Sequence, residues 1–508
     1  MSKRAAPADA TSPAGKASRT GAARPSAVET SEMGEFEDAF EDELEDDEEV
    51  VDGGEDGMAV DDEVTPAIEE LDERPGAPTT FIPGVHALGK DEILEPDDSV
   101  YIMRHTLNVT WPCLSFDVLR DNLGDGRQRF PATAYIVSGT QADSANSNEL
   151  AVYKMSSLHK TQRTADSDDS DEEDEDDERL DEDPVLEYRA IPHQGGVNRV
   201  RARPLPAGAP LPPVDTPYHV ASWADTGKVH VWDVRPLIEA LETPGYSYDK
   251  SKVQTPAFTV SAHGRAEGFA MDWASSGGAA PTGLRLLTGD IASKIFLSTS
   301  TASGFTTLGS AFTSHTSSVE DLQWSPSEPT VFGSCSADRS VRVWDVRSKG
   351  RQSFAGIEGA HESDVNVISW NKSTAYLMLS GGDEGGIKVW DLRNVKKRGA
   401  NGPDPTPVAS FTWHRAPITS VEWHPTEDSL FAASGADDQV TLWDLAVEQD
   451  DEESGAMQED GDTAVPPQLL FVHQGQKDVK EVHWHPQMPG TVISTALDGF
   501  NIFKTISA

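Results

Sequence analysis

The sequence predicts an all-β chain folded as a seven-bladed β-propeller. Three observations predict it: a phrase that returns, an aromatic that closes each return, and a charge distribution that leaves the returning part nearly neutral. The phrase runs from a His near a turn, through an apolar strand ending in Trp, a small-residue strand and an Asp turn, to a strand closing on Trp-Asp. Its plainest copy is "SHTSSVEDLQWSPSEPTVFGSCSADRSVRVWDVR", residues 314–347. Two more are "AHESDVNVISWNKSTAYLMLSGGDEGGIKVWDLR" (360–393) and "WHRAPITSVEWHPTEDSLFAASGADDQVTLWDL" (413–445). Degenerate copies occupy 261–298 and 472–504, and an earlier one starts at His193 and ends at Arg235.

The closing aromatics fall at Trp232, Phe296, Trp344, Trp390, Trp443 and Phe503, and Tyr153 in "NELAVYKM" supplies a seventh. Spacings of 48, 46 and 53 residues through the clean copies fit four short strands with their loops, which is one blade of a WD-repeat propeller. The gaps of 79 residues before Trp232 and 60 before Phe503 hold acidic runs, which therefore read as insertions between strands. Within one copy, His315, Ser334, Asp338 and Trp344 stand in the order that lets an imidazole bridge a carboxylate and a hydroxyl while the indole donates from the closing strand. Such a set also suggests a hydrolase. It returns at His361, Ser380 and Trp390, however, and an enzyme has no use for a triad in every repeat, so the set is structural. With no lysine-ended phosphate loop and no His/Cys/Asp cluster at ligand spacing, no catalytic site, metal or cofactor is expected.

Residues 91–123 do not repeat. Between Pro96 and Pro112, the spacing of Val100, Met103 and Leu107 predicts one apolar face of a helix, with Asp97, Asp98 and Ser99 as its cap or acidic first turn. "PCLSFDVL" then alternates Leu114, Phe116 and Val118, which predicts a strand. A propeller must close its last blade, and this strand is expected to supply the outer edge of the blade built from the C-terminus. The plan is a tail at 1–90, a helix and closing strand at 91–123, and a propeller at 124–508 with acidic insertions at 164–184 and 448–466.

The formal net charge of -46 is held in three places. Residues 31–73 carry 22 acidic and no basic side chains, residues 166–183 carry 14 against one Arg, and residues 448–462 carry 8 against none. The densest run is Asp171, Glu172, Glu173, Asp174, Glu175, Asp176, Asp177 and Glu178. The rest of the chain, with 43 acidic and 40 basic residues, is close to neutral. Like charges at this density repel and bury nothing, so the tracts are expected to be solvated and disordered. They suit long-range attraction of a strongly basic partner and repel phosphates, so direct nucleic-acid binding is not expected. Cys113 and Cys335 form no metal or disulfide framework, which suits a reducing compartment. The Ala/Pro/Ser-rich start lacks the apolar stretch of a signal peptide, and no segment is apolar enough to span a membrane.

"YIMRHTLNVTWPCLSFDVL" followed by Trp-Asp repeats resembles the histone-binding WD-repeat family through His105, Leu107, Trp111, Pro112 and Leu114. The longer match, with its internal acid run, resembles the glutamate-rich branch whose fungal members regulate ribosome biogenesis. That resemblance implies a monomeric, nuclear and nucleolar chaperone that escorts a basic client, large-subunit ribosomal protein three (uL3), to the pre-60S ribosomal particle. It implies histones as alternative clients, and it puts Tyr101, Met103, His105 and Leu107 on a partner-binding helix. The histone binders carry a short, partly apolar loop late in the propeller, whereas this chain has "DDEESGAMQEDGD" there. A third reading, adaptor of a ubiquitin ligase, follows from the "WDxR" phrases at Trp232–Arg235, Trp344–Arg347 and Trp390–Arg393.

Overall fold

Strand alternation in the repeats becomes strand burial. In the fourth blade Val319–Trp324, Val331–Ser336 and Val341–Asp345 turn their apolar positions into the core, and the closing Trp344 stacks on Phe332 at 5.7 Å. The computed structural model describes residues 96–161, 183–274, 283–397, 404–447 and 465–507. These form seven antiparallel sheets, each running from an inner to an outer strand. Blades 1 to 6 take residues 115–192, 197–260, 270–307, 319–357, 365–411 and 418–473 in turn. Blade 7 takes its first three strands from 481–505. The seven inner strands are neighbours in a closed ring, Ser115–Leu119 lying beside both Val197–Ala202 and Glu481–Trp484. Tyr153, Trp232, Phe296, Trp344, Trp390, Trp443 and Phe503 all lie buried on the third strand of their blades.

The predicted helix is a strand. Only Asp98–Val100 makes a helical turn, of 3-10 type and capped by Asp97, whose carboxylate accepts from the Ser99 amide at 2.9 Å. Tyr101–Asn108 is extended and pairs antiparallel with Gly499–Thr505, from Tyr101 opposite Thr505 to Asn108 opposite Gly499. The closing strand is therefore this one. Ser115–Leu119, assigned that role from sequence, is instead the inner strand of blade 1. Over eight residues, Val100, Met103 and Leu107 satisfy a helical spacing while Tyr101, Met103, His105 and Leu107 satisfy a strand's period of two. The unpaired edge of the C-terminal strand decides between them.

Antiparallel order gives the disc two faces. Connections from the first to the second strand and from the third to the fourth leave on one face; all others leave on the opposite face. The insertions belong to the first kind: residues 162–182 lie between the third and fourth strands of blade 1, and 448–464 between those of blade 6. The tail 1–90 lies outside the described residues, as do both insertion tracts, including Asp171–Glu178, save for their last two positions.

Candidate client-binding face

The outer strand of blade 7 begins where the third strand ends, Tyr101 facing Thr505, so the N-terminal segment enters on the face from which both insertions depart. Both insertions and the N-terminal segment, described from residue 96, thus meet the propeller on one face and on three consecutive blades, 6, 7 and 1. The roots touch. The Thr161 amide, immediately before the blade 1 insertion, donates to the Ile102 carbonyl at 3.0 Å, and the Arg104 amide returns a bond to the Thr161 hydroxyl at 2.7 Å. Tyr101 bonds through its hydroxyl to His473 Nδ1 at 2.8 Å and meets Phe471 edge-on at 5.3 Å, both on the strand that follows the blade 6 insertion. This seam joins the N-terminal segment to the described ends of the two insertions, whose tracts carry 21 of the 46 excess negative charges.

Beneath this face lies the propeller's axis, belted by inter-blade bonds. A side chain on one inner strand accepts from a backbone amide of the next: Asp272 from Trp324 at 2.7 Å, Asp321 from Ile368 at 3.2 Å, and Ser369 from Trp423 at 3.1 Å. Glu422 accepts from Trp484 at 3.0 Å, Glu481 from Phe116 at 2.8 Å, and Asp117 from Ala202 at 2.7 Å. Between blades 2 and 3 the polarity reverses, Arg199 Nε donating to the Phe269 carbonyl at 2.8 Å. Glu481 also takes Arg199 and Arg201, each at 2.8 Å, while His483 bonds Glu422 at 3.0 Å. These partners hold the Glu481 carboxyl well below the usual carboxylate range, and the two glutamates raise His483 to about 10 despite its burial. Burial instead pushes Asp272 up to about 7. A cavity of about 450 Å³ opens onto the belt, lined by belt residues such as Arg201, Asp272 and His483 and, at and beyond the strand ends, by Trp324, Trp370 and Lys372. Through these inter-blade bonds the belt acts as a structural axle for the ring.

The sequence-predicted residues fall in two groups. His315 bonds Asp338 at 2.9 Å through Nδ1 and Ser334 at 2.6 Å through Nε2, and the Trp344 indole donates to Ser334 at 2.7 Å. His361, Ser380 and Trp390 repeat the pattern, with Glu384 in place of the Asp. Tyr101, Met103 and Leu107 are buried in the seam between blade 7 and its neighbours, and His105, half-buried, bonds the His159 carbonyl at 2.9 Å. They hold the roots and offer no helical groove. Sequence reasoning missed the belt. Its signal was charge at every second position of an inner strand, Arg199 and Arg201 in "VNRVRA" and Glu481 and His483 in "EVHW". Among the described residues no His/Cys/Asp/Glu group is arranged to hold a metal.

Two families match. The family of histone-binding protein RBBP4 and its counterpart in the CAF1 complex covers residues 91–159, and "WD domain, G-beta repeat" covers 306–345, 354–391 and 405–444, within blades 3 to 6. Over 477 residues, 94% of each chain, the sequence is 46% identical to Ribosome assembly protein rrb1 of Schizosaccharomyces pombe. It is 42% identical to Glutamate-rich WD repeat-containing protein 1 of Dictyostelium discoideum, over 83% of this chain and 84% of that one. The chain belongs to the glutamate-rich WD-repeat family. Another relative is Protein HEAT STRESS TOLERANT DWD 1 of Arabidopsis thaliana, 45% identical over 85% of this chain and 92% of that one. A glutamate-rich WD-repeat protein is a non-catalytic scaffold, and this one is related to ribosome-biogenesis factors.

Proposed function

We propose that the chain is an acidic chaperone that captures a basic ribosomal protein, large-subunit ribosomal protein three, and delivers it to the pre-60S particle in the nucleus and nucleolus. The observation that supports this reading is that both acidic insertions leave the propeller on the face where the N-terminal segment enters, at blades 6, 7 and 1. Carboxylates spread along a chain would serve solubility; clustered in tracts, they present a concentrated charge to a cationic ligand while the propeller supplies shape. The relative named as a ribosome assembly protein supports the choice of client class. Ribosomal proteins are basic and bind RNA or aggregate before assembly. A carboxylate tract competes with RNA phosphates for the same cations.

Purification of the tagged chain at near-physiological salt tests the client. Equimolar ribosomal protein three is the expected companion. Core histones in its place would overturn the reading in favour of a histone chaperone, which the histone-binding match over 91–159 independently favours.

A further inference from the structure

The face from which the two acidic insertions leave also carries a basic sector. On blades 4 and 5 the described parts of its connections, residues 325–330, 346–354, 371–376, 392–397 and 404–408, contain seven basic and two acidic residues, and Asp345 and Asp391 at the preceding strand ends pair with two of the arginines. The chain repeats itself here: "DVRSKGR" closes the third strand of blade 4 and "DLRNVKK" that of blade 5. A short strand joins the two groups. Lys396–Lys397, from blade 5, pairs onto the outer strand of blade 4, Lys397 lying opposite Ala355 and so beside Phe354. Lys349, Lys372 and Lys397 are exposed. Arg347 is 70% and Arg393 63% exposed, each fixed by the Asp two residues before it at 2.7 and 2.6 Å. The Arg393 guanidinium lies 3.7 Å from the centre of the Tyr376 ring. Tyr376 and Phe354 stand among these cations 40% and 43% exposed.

We propose that this surface of blades 4 and 5 binds RNA, the lysines and arginines taking backbone phosphates and Phe354 and Tyr376 stacking on unpaired bases. Cations interleaved with exposed aromatics are the composition such surfaces need, because every base has a face to stack and every nucleotide a phosphate to neutralise. The insertions attach on blades 1 and 6 and the N-terminal segment enters on blade 7, none of them on blades 4 and 5, and at physiological salt a charge is screened over roughly 8 Å. An acidic protein can then hold a cationic client on one sector and an RNA on another. The expectation that the tracts exclude nucleic acid applies to their own sector.

Fluorescence anisotropy of the full chain with a labelled RNA hairpin of about 20 nucleotides, at about 50 to 200 mM salt, tests this without any client. The unaltered protein should bind, more weakly as salt rises. Lys349→Glu with Lys397→Glu should weaken binding about tenfold or more and reduce the salt slope by about two, one for each lost phosphate contact. Lys250→Glu with Lys252→Glu, on an exposed turn of blade 2 on the same face, should leave binding unchanged. Absence of binding at about 50 mM salt, or equal loss from both pairs, would overturn the proposal. So would retention of RNA by the Lys349/Lys397 variant together with loss of a co-purifying protein, which would make the surface a protein dock.

Discussion

At His315 a single proton has one economical place. Burial lowers the imidazole's affinity for a second proton, while its hydrogen bond to Asp338 holds that carboxyl below the usual range. A neutral ring donating from Nδ1 to Asp338 and accepting at Nε2 from Ser334 leaves Ser334 free to accept from the Trp344 indole. Every buried polar atom of the chain Trp344, Ser334, His315, Asp338 is then used. Ser334→Ala should strand the indole N–H and the imidazole nitrogen and cost about 1–3 kcal/mol in urea unfolding. A variant as stable as the parent would show that the network carries no load. His483 behaves in the opposite sense. Its folded value, about 10, stands above the ordinary 6.5, so its contribution is complete below pH 6.5 and is lost as pH rises toward 10. His483→Gln should therefore destabilise most near pH 6, by roughly 3 kcal/mol, and the gap should narrow in alkali. A gap that is constant across that range would mean the ring is neutral in the folded protein.

The element that matters most is the strand Tyr101–Asn108. It covers the edge of Gly499–Thr505 and adds Met103 and Leu107 to a cluster with Phe116, Phe500 and Ile502, so it closes the ring and builds part of the core together. Leu107→Ala should cost about 2–4 kcal/mol through the cavity it leaves. Deletion of 96–108 should replace cooperative unfolding by aggregation, because a seven-residue sheet edge is exposed. A soluble, cooperatively melting deletion would show that the C-terminal strand is stable alone. This strand was misread from sequence because two periodicities fit it. By contrast, inner strands such as "VEDLQW" and closing strands such as "VRVWD" were legible, since their alternation was repeated in several copies. Repetition removed the ambiguity that a single eight-residue segment retains.

Across the whole molecule, charge and shape occupy different segments. If the tract at 166–183 supplies attraction, replacing its 14 acidic residues with Ser and Gly should slow association with the basic client and flatten the salt dependence, with less effect on dissociation. Stopped-flow mixing at several salt concentrations reads both. An unchanged rate and slope would return the tract to a role in solubility. Removal of 31–73, which precedes the repeats and shows no apolar periodicity, should leave thermal unfolding nearly unchanged.

The sequence by itself determined the number of blades, the third strand of each through its closing aromatic, and the confinement of charge to three tracts. These are properties of local alternation, repetition and composition. Only the tertiary structure decided which N-terminal strand closes the ring, that Tyr101, Met103 and Leu107 are core, that Glu481 is an axle for Arg199 and Arg201, and that the two insertions leave on the face where the N-terminal segment enters. Each of these depends on which edges meet when the ring closes. A strand joins the edge left unpaired, and the face from which a connection leaves follows from that strand's direction. Thr161 and Phe471, more than 300 residues apart in the chain, both meet the strand that begins at Tyr101.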